Sequence, residues 1–177
     1  MKNPLINGLT NQYEYLMNLV FMRLSTGYIV IQLYPDQAPK HVARIKRLVE
    51  AKFYDGLTFH RIIPNLIVQG GCPVGDGTGA LTVKIPFEDN DLKHTKGAVS
   101  MARGNDKNSA SCQFFICIDD IPSLDGEYTV WGKIVSGLNF VEQIAKNHRL
   151  EDGKVIDEPD IIEEVDMVMN NPVEIKR

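Results

Sequence analysis

No stretch of the 177-residue sequence is apolar for long enough to cross a bilayer, which takes about 20 consecutive apolar residues in a helix. The first seventeen residues carry Asn, Gln, Thr and Glu and no continuous apolar segment, so no secretory leader is expected and the cytoplasm is the default location. Cysteine is scarce. Cys72, Cys112 and Cys117 are the three present, and an odd number without regular spacing argues against a disulfide framework and fits a reducing compartment. There is no CxxC, and His41, His60, His94 and His148 fall at no ligand spacing, so neither a metal nor another cofactor is expected. Positive charge is also short. A net charge of −4 with scattered Lys and Arg argues against a nucleic-acid partner, which needs clustered cations against phosphate. The local basic group from Lys40 to Arg47 reads as the solvated face of one helix.

Two familiar kinds of chemistry are missing as well. Gly70-Gly71 and Gly75-Asp76-Gly77-Thr78-Gly79 resemble a phosphate loop in composition only. Ala80 to Pro86 follows as strand or loop, where an anion site needs a helix N-terminus, and no Gly-Lys-Ser/Thr is present. A structural or groove-lining loop is the better account. No GxSxG elbow accompanies His60, so nucleophilic hydrolysis is not indicated.

What is there is a sequence of short strand-like runs. Residues 1–16 are polar and aperiodic and predict a flexible extension; 17–177 predict one domain. Leu19, Phe21 and Tyr28 to Leu33 flank Ser25-Thr26-Gly27 as a hairpin. Asp36 is placed to cap a helix in which Ala38, Val42, Ile45, Leu48 and Val49 make one apolar stripe ending near Lys52. Further strands are predicted over Thr58–Ile63, Leu66–Gln69, Thr82–Ile85, Ala98–Ala102, Phe114–Ile118, Thr129–Val135 and Ile161–Met169, the last blurred by Glu163 and Glu164. A second helix, capped by Ser136, carries Leu138, Val141, Ile144 and Ala145. Many strands with two helices predict a mainly β fold around a closed or nearly closed antiparallel sheet.

Phe59-His60-Arg61-Ile62-Ile63-Pro64 is the unusual segment. An arginine in an apolar strand is costly to bury unpaired, so Arg61 must either meet a partner or line an open groove. Ile67 and Gln69 share a face by the strand period, and Gln113-Phe114-Phe115 adds an aromatic strand with a second amide. The residues alone leave a structural ion pair and a peptide site equally open.

The run Phe59 to Gly71, FHRIIPNLIVQGG, strongly resembles the signature of the cyclophilins. Gly77-Thr78-Gly79, Phe87-Glu88-Asp89, Ser100-Met101-Ala102, Ser111 to Ile116 and Leu124-Asp125-Gly126 resemble it too, in family order across about residues 18–170. Met101-Ala102-Arg103 and Ser109-Ala110-Ser111 look like the bacterial branch. The resemblance implies an eight-stranded closed antiparallel β-barrel capped by two α-helices. It implies peptidyl-prolyl cis-trans isomerase activity without a cofactor, on proline-containing peptides and unfolded proteins, by a monomer that assists folding. It places Arg61, Gln69 and Phe115 as catalytic. Leu66, Ile67, Ala102, Arg103, Gln113, Leu124 and Tyr128 would bind substrate: Ile67 and Leu124 join Phe115 in the proline pocket, Gln113 joins Gln69 along the groove, and the Ala102–Arg103 backbone pairs with an extended peptide. Leu66 stands where Phe is usual, and Ser123 where a Trp or large apolar residue is often found; the second departure implies weak binding of the inhibitor cyclosporin A. The competing account is a proline-peptide scaffold with negligible turnover, which would need the groove but not a placed Arg61 and Gln69.

Overall fold

Alternating side chains build the first hairpin. In β1 (Leu19–Leu24) and β2 (Gly27–Leu33), Val20, Met22, Leu24, Ile29, Ile31 and Leu33 all point inward and are buried, as the period of two dictates. The computed structural model describes residues 11–170, of which 11–16 are helical; the rest of the extension expected over 1–16 lies outside the described residues. Eight more strands follow: β3 (Arg61–Ile63), β4 (Ile67–Gly70), β5 (Ala98–Met101), β6 (Phe114–Cys117), β7 (Val130–Ser136), β8 (Leu150–Glu151), β9 (Lys154–Val155) and β10 (Ile162–Met167). They form one antiparallel sheet of order β10-β1-β2-β7-β5-β6-β4-β3-β9-β8. Helix α1 (Pro39–Glu50) packs against β10, and α2 (Leu138–Asn147) against β2 and β4. The α1 stripe Val42, Ile45, Leu48, Val49 and the α2 pair Val141, Ile144 enter the same core as Ile62, Val68, Val99 and Ile116. Each such fully buried aliphatic side chain contributes about 1.5–3 kcal/mol of transfer free energy.

The expected closed eight-stranded barrel is not what forms: among the described residues ten strands are present and the sheet stays open between β10 and β8. The outer edge of β3 is occupied by β9, with Arg61 opposite Lys154. Among the described residues, strand β10 therefore reaches that side through the bridge Thr58–Ile161 and loop bonds, including Phe59 N–H to Asp160 O at 3.0 Å and Ile162 N–H to Leu57 O at 2.8 Å. Loop backbone latches the seam in place of a ladder. The β8–β9 hairpin turns on Asp152 (φ 50°) and Gly153 (φ 80°), the pair of positive φ angles that an Asp-Gly type I′ turn requires.

Three other expectations are corrected. Thr82–Ile85 forms no strand, only the bridge Ile85–Ala110. Ser136 does not cap α2: it ends β7, and Gly137 in the left-handed region (φ 85°) starts the helix, where a Cβ would come within 2.2 Å of Tyr28 O. Asp36 does not cap α1, whose N-cap residue is Ala38 without a side-chain bond. The cap comes from 47 residues away. Glu88 accepts the Lys40 and His41 N–H groups, both at 2.9 Å, and meets His41 Nδ1 at 2.6 Å. The blurring at Glu163 and Glu164 is a bulge. The register slips between Arg23 and Leu24, and both carboxylates meet Arg23, at 3.2 and 3.5 Å.

Because Glu88 satisfies two orphan helix donors and a buried imidazole at once, Glu88→Ala should cost about 1–3 kcal/mol in urea unfolding. An unchanged midpoint would show that water replaces the cap.

Candidate active site

The sheet has two faces, and the cross-strand register decides what each carries. One row runs Ile62, Val68, Ile116, Val99 and is fully buried in the main core. The adjacent row runs Arg61, Gln69, Phe115, Ser100 on the opposite face. A third row, Ile63, Ile67, Cys117, continues that face. There Ile67, Ala98, Phe115, Cys117, Ile121 and Val130 form a second, smaller apolar cluster, with Leu124 and Tyr128 packed at its margin. The β3–β4 turn keeps the rows in register. Pro64 and Asn65 (φ 61°) stand between Ile63 O and Leu66 N–H, bonded at 3.0 Å, and a type II turn takes Pro second and Asn or Gly third.

Over this second cluster lies a groove of about 720 Å³. Its apolar part is a cup of Leu66, Ile67, Phe115, Leu124 and Tyr128; Arg61 and Gln69 line the groove beside it, and Ala102 and Arg103 border it. A smaller cavity of about 290 Å³, which shares Gln69, Ala102 and Arg103 with it, is where Gln113 lies. All ten residues singled out from the sequence thus lie along one continuous depression, and Ser123 is on its rim.

A directed chain of hydrogen bonds sets the polar wall. Arg61 Nη1 donates to Gln69 Oε1 at 3.1 Å, Gln69 Nε2 donates to Gln113 Oε1 at 3.0 Å, and Gln113 Nε2 donates to Gly77 O and Gly79 O at 2.9 and 2.7 Å. Gly77 has φ 90°, a backbone state open to glycine at no steric cost. The N–H groups of Gly77 and Gly79 both point at Cys72 Sγ, at 3.3 Å. Burial raises the Cys72 thiol, yet the surrounding amides more than offset this and hold it below the ordinary value.

The cup is braced from the side. The Phe115 ring meets Tyr128 edge-on at 5.5 Å, and the Arg103 guanidinium lies 4.6 Å over the Tyr128 ring. The same guanidinium donates to Glu127 O and Gly104 O, so the Arg103 side chain is committed to joining its own loop to the one before β7. Ala102 N–H is used by Gln113 O at 2.9 Å; among the described residues its carbonyl and the Arg103 N–H take no partner and are open to an added strand. Reasoning from the sequence missed His60, Asp76, Thr78, Asp152 and Lys154, which line the groove near Arg61. Asp152-Gly153 was a readable hairpin signal, but its strands are two residues each. His94, behind Phe115, had no local signal at all.

A polar-walled apolar groove on the outer face of a β-sheet fits an extended peptide with one apolar ring. The model of the cyclophilin type peptidyl-prolyl cis-trans isomerase family matches residues 19–167. The chain belongs to the cyclophilin family. It is 41% identical over 142 residues to peptidyl-prolyl cis-trans isomerase B of Bacillus subtilis, covering 75% of this chain and 99% of that one. To a probable peptidyl-prolyl cis-trans isomerase of Brucella suis it is 42% identical over 151 residues, covering 78% and 76%. A crystal structure of a Cryptosporidium parvum cyclophilin, obtained in the presence of the dipeptide Ala-Pro, superposes with a TM-score of 0.79 at 28% identity, covering 84% of this chain and 98% of that one. As a cyclophilin, the chain is an isomerase of peptidyl-prolyl bonds.

Burial lowers the proton affinity of three of its histidines, His41, His60 and His94. The unfolded chain therefore binds more protons than the folded one once pH drops below the ordinary histidine value of about 6.5. Their contribution to stability is complete above that pH and erodes as pH falls towards the folded-state values. The urea midpoint should be lower at pH 5.5 than at pH 7.5; an equal or higher one would contradict the burial of neutral imidazoles.

Proposed function

We propose that the groove accelerates X-Pro rotation by holding the prolyl ring in the cup while Arg61 donates a hydrogen bond to the prolyl nitrogen of the twisted amide. Planar amide resonance withholds the nitrogen lone pair; rotation through the barrier of about 18–20 kcal/mol releases it. A donor fixed beside that nitrogen gains a partner only in the twisted state, which is differential transition-state binding. Uncatalysed isomerisation takes tens of seconds. Turnover on the order of 1–1000 per second needs roughly 3–7 kcal/mol. One charge-assisted bond of about 1.5–3 kcal/mol, with desolvation in the apolar cup and orientation by the groove, covers much of that.

The observation that carries this reading is the Arg61–Gln69 bond at 3.1 Å beside the Phe115 cup. A scaffold needs the cup but no guanidinium aimed by an amide chain. Substrates are unfolded or extended chains, in which an X-Pro bond is free to reach the cup and the polar wall beside it. That makes assistance to folding the natural role.

Two outcomes follow. In an NMR exchange assay on a short X-Pro peptide, Arg61→Ala should lower kcat/KM by about tenfold or more while peptide affinity stays nearly constant, and Arg61→Lys should rescue poorly because an ammonium lacks the planar fork. Unchanged exchange in folded Arg61→Ala protein would refute the assignment. Cyclosporin A should bind weakly, since exposed Ser123 offers neither the flat apolar surface nor the indole N–H of a Trp at the rim. Ser123→Trp should tighten the inhibitor by roughly thirtyfold, about 2 kcal/mol, and change peptide turnover far less. Low-nanomolar binding by the unmodified chain would show that Ser123 is not the determinant.

A further inference from the structure

Behind the proline cup lies a histidine that the isomerisation step does not use. The His94 side chain is wholly buried and its ring stacks on Phe115, with 5.9 Å between centroids and 13° between planes. Both ring nitrogens are occupied: Nδ1 meets Asp125 Oδ1 at 2.9 Å, and Nε2 meets Ser100 Oγ at 3.0 Å. Asp125 Oδ1 also accepts the His94 backbone N–H at 2.8 Å. Ser100 is the cross-strand partner of Phe115, and Asp125 directly follows Leu124, which walls the cup. One imidazole therefore ties together the aromatic floor, the strand beside it and the loop that carries the wall.

The protonation of the set is fixed by its neighbours. Hydrogen bonds, first that from the His94 backbone, keep Asp125 an acceptor-only carboxylate below its ordinary range, so Nδ1 carries a proton. Burial disfavours the imidazolium, although Asp125 opposes this. Neutral Nε2 can only accept, as can Thr129 O, so the single Ser100 hydroxyl proton is shared between these two acceptors, each at 3.0 Å. Contacts at both nitrogens, with the backbone N–H of His94 on the same Asp125 oxygen, oppose rotation of the ring. The flat face of Phe115 rests on that ring and its edge interaction is with Tyr128.

We propose that His94, anchored by Asp125, is a positioning residue of the isomerase: it fixes the plane of Phe115 and the place of Leu124, so that the cup is shaped for a prolyl ring before substrate arrives. The inference rests on reading the groove as the X-Pro site. Shape held in advance lowers the cost of binding more than it alters the twisting step, because ground and transition states both keep the ring in the cup.

Two variants test it. His94→Phe keeps an aromatic ring and removes both ring-nitrogen bonds. Asp125→Ala acts on a side chain that is one-fifth exposed, and so releases the imidazole without cutting into the core. In each, kcat and KM are measured on an X-Pro peptide by NMR exchange, together with the Phe115 ring and Leu124 methyl resonances. The expected result is KM raised by about tenfold, kcat within about threefold, and joint displacement or broadening of the two sets of resonances. Asp125→Asn, whose amide oxygen accepts from both His94 donors, should restore most of the loss. Unchanged KM and unchanged resonances in folded Asp125→Ala protein overturn the proposal, as does a defect that merely tracks the unfolded fraction. If the unmodified chain fails to exchange X-Pro peptides, the isomerase reading of the groove falls instead. The resonances then decide alone: joint displacement supports the positioning role, and silence overturns it.

Discussion

The direction of one guanidinium constrains the rest of the groove. Arg61 can only donate, so Gln69 must present its oxygen to it; the Gln69 amino group then faces Gln113 oxygen, and the Gln113 amino group faces the Gly77 and Gly79 carbonyls. Neither amide can flip without setting donor against donor. The chain has one polarity, imposed by the charge at its head, and hydrogen bonds aligned this way polarise one another. It also reaches the glycine loop, whose returning N–H groups close on the buried sulfur of Cys72. A loop with the composition of a phosphate cradle serves here to terminate a side-chain relay.

The register of the sheet makes this possible. Alternate residues of β3, β4, β5 and β6 feed a rigid interior, while the intervening ones build a shallow second cluster under the groove. Stability and function thus use the same strands without sharing side chains. The interior is anchored by helices and by the Glu88 cap on α1; the outer cluster is small, and Phe115 depends on His94 and Tyr128 for its setting.

Local periodicity made most of the architecture legible. The α1 stripe, the first hairpin and the shared face of Ile67 and Gln69 follow from spacing, and the runs around Arg61 and Phe115 carried the family resemblance; that Arg61 pairs with Gln69 across the strands is seen only in the structure. What the sequence hid is the product of distance along the chain. Glu88 caps a helix 47 residues away, and His94 finds Asp125 31 residues on; no window contains both partners. The open seam escaped for a different reason. Whether β10 can zip to β3 depends on whether β9 has already taken that edge, which is a competition between strands and not a property of either. Ser136 and Asp36 were reasonable caps by residue type, displaced by a left-handed glycine and by a carboxylate from another loop.

The central claim is that Gln69 matters through Arg61, as the amide that aims it. A double-mutant cycle of Arg61→Ala and Gln69→Ala, read as kcat/KM for X-Pro exchange, tests that link directly. The account predicts strong non-additivity: Gln69→Ala slows the unmodified enzyme but costs almost nothing once Arg61 is gone. Fully additive losses would mean that the two side chains act on substrate independently, and the relay described above would have no part in catalysis.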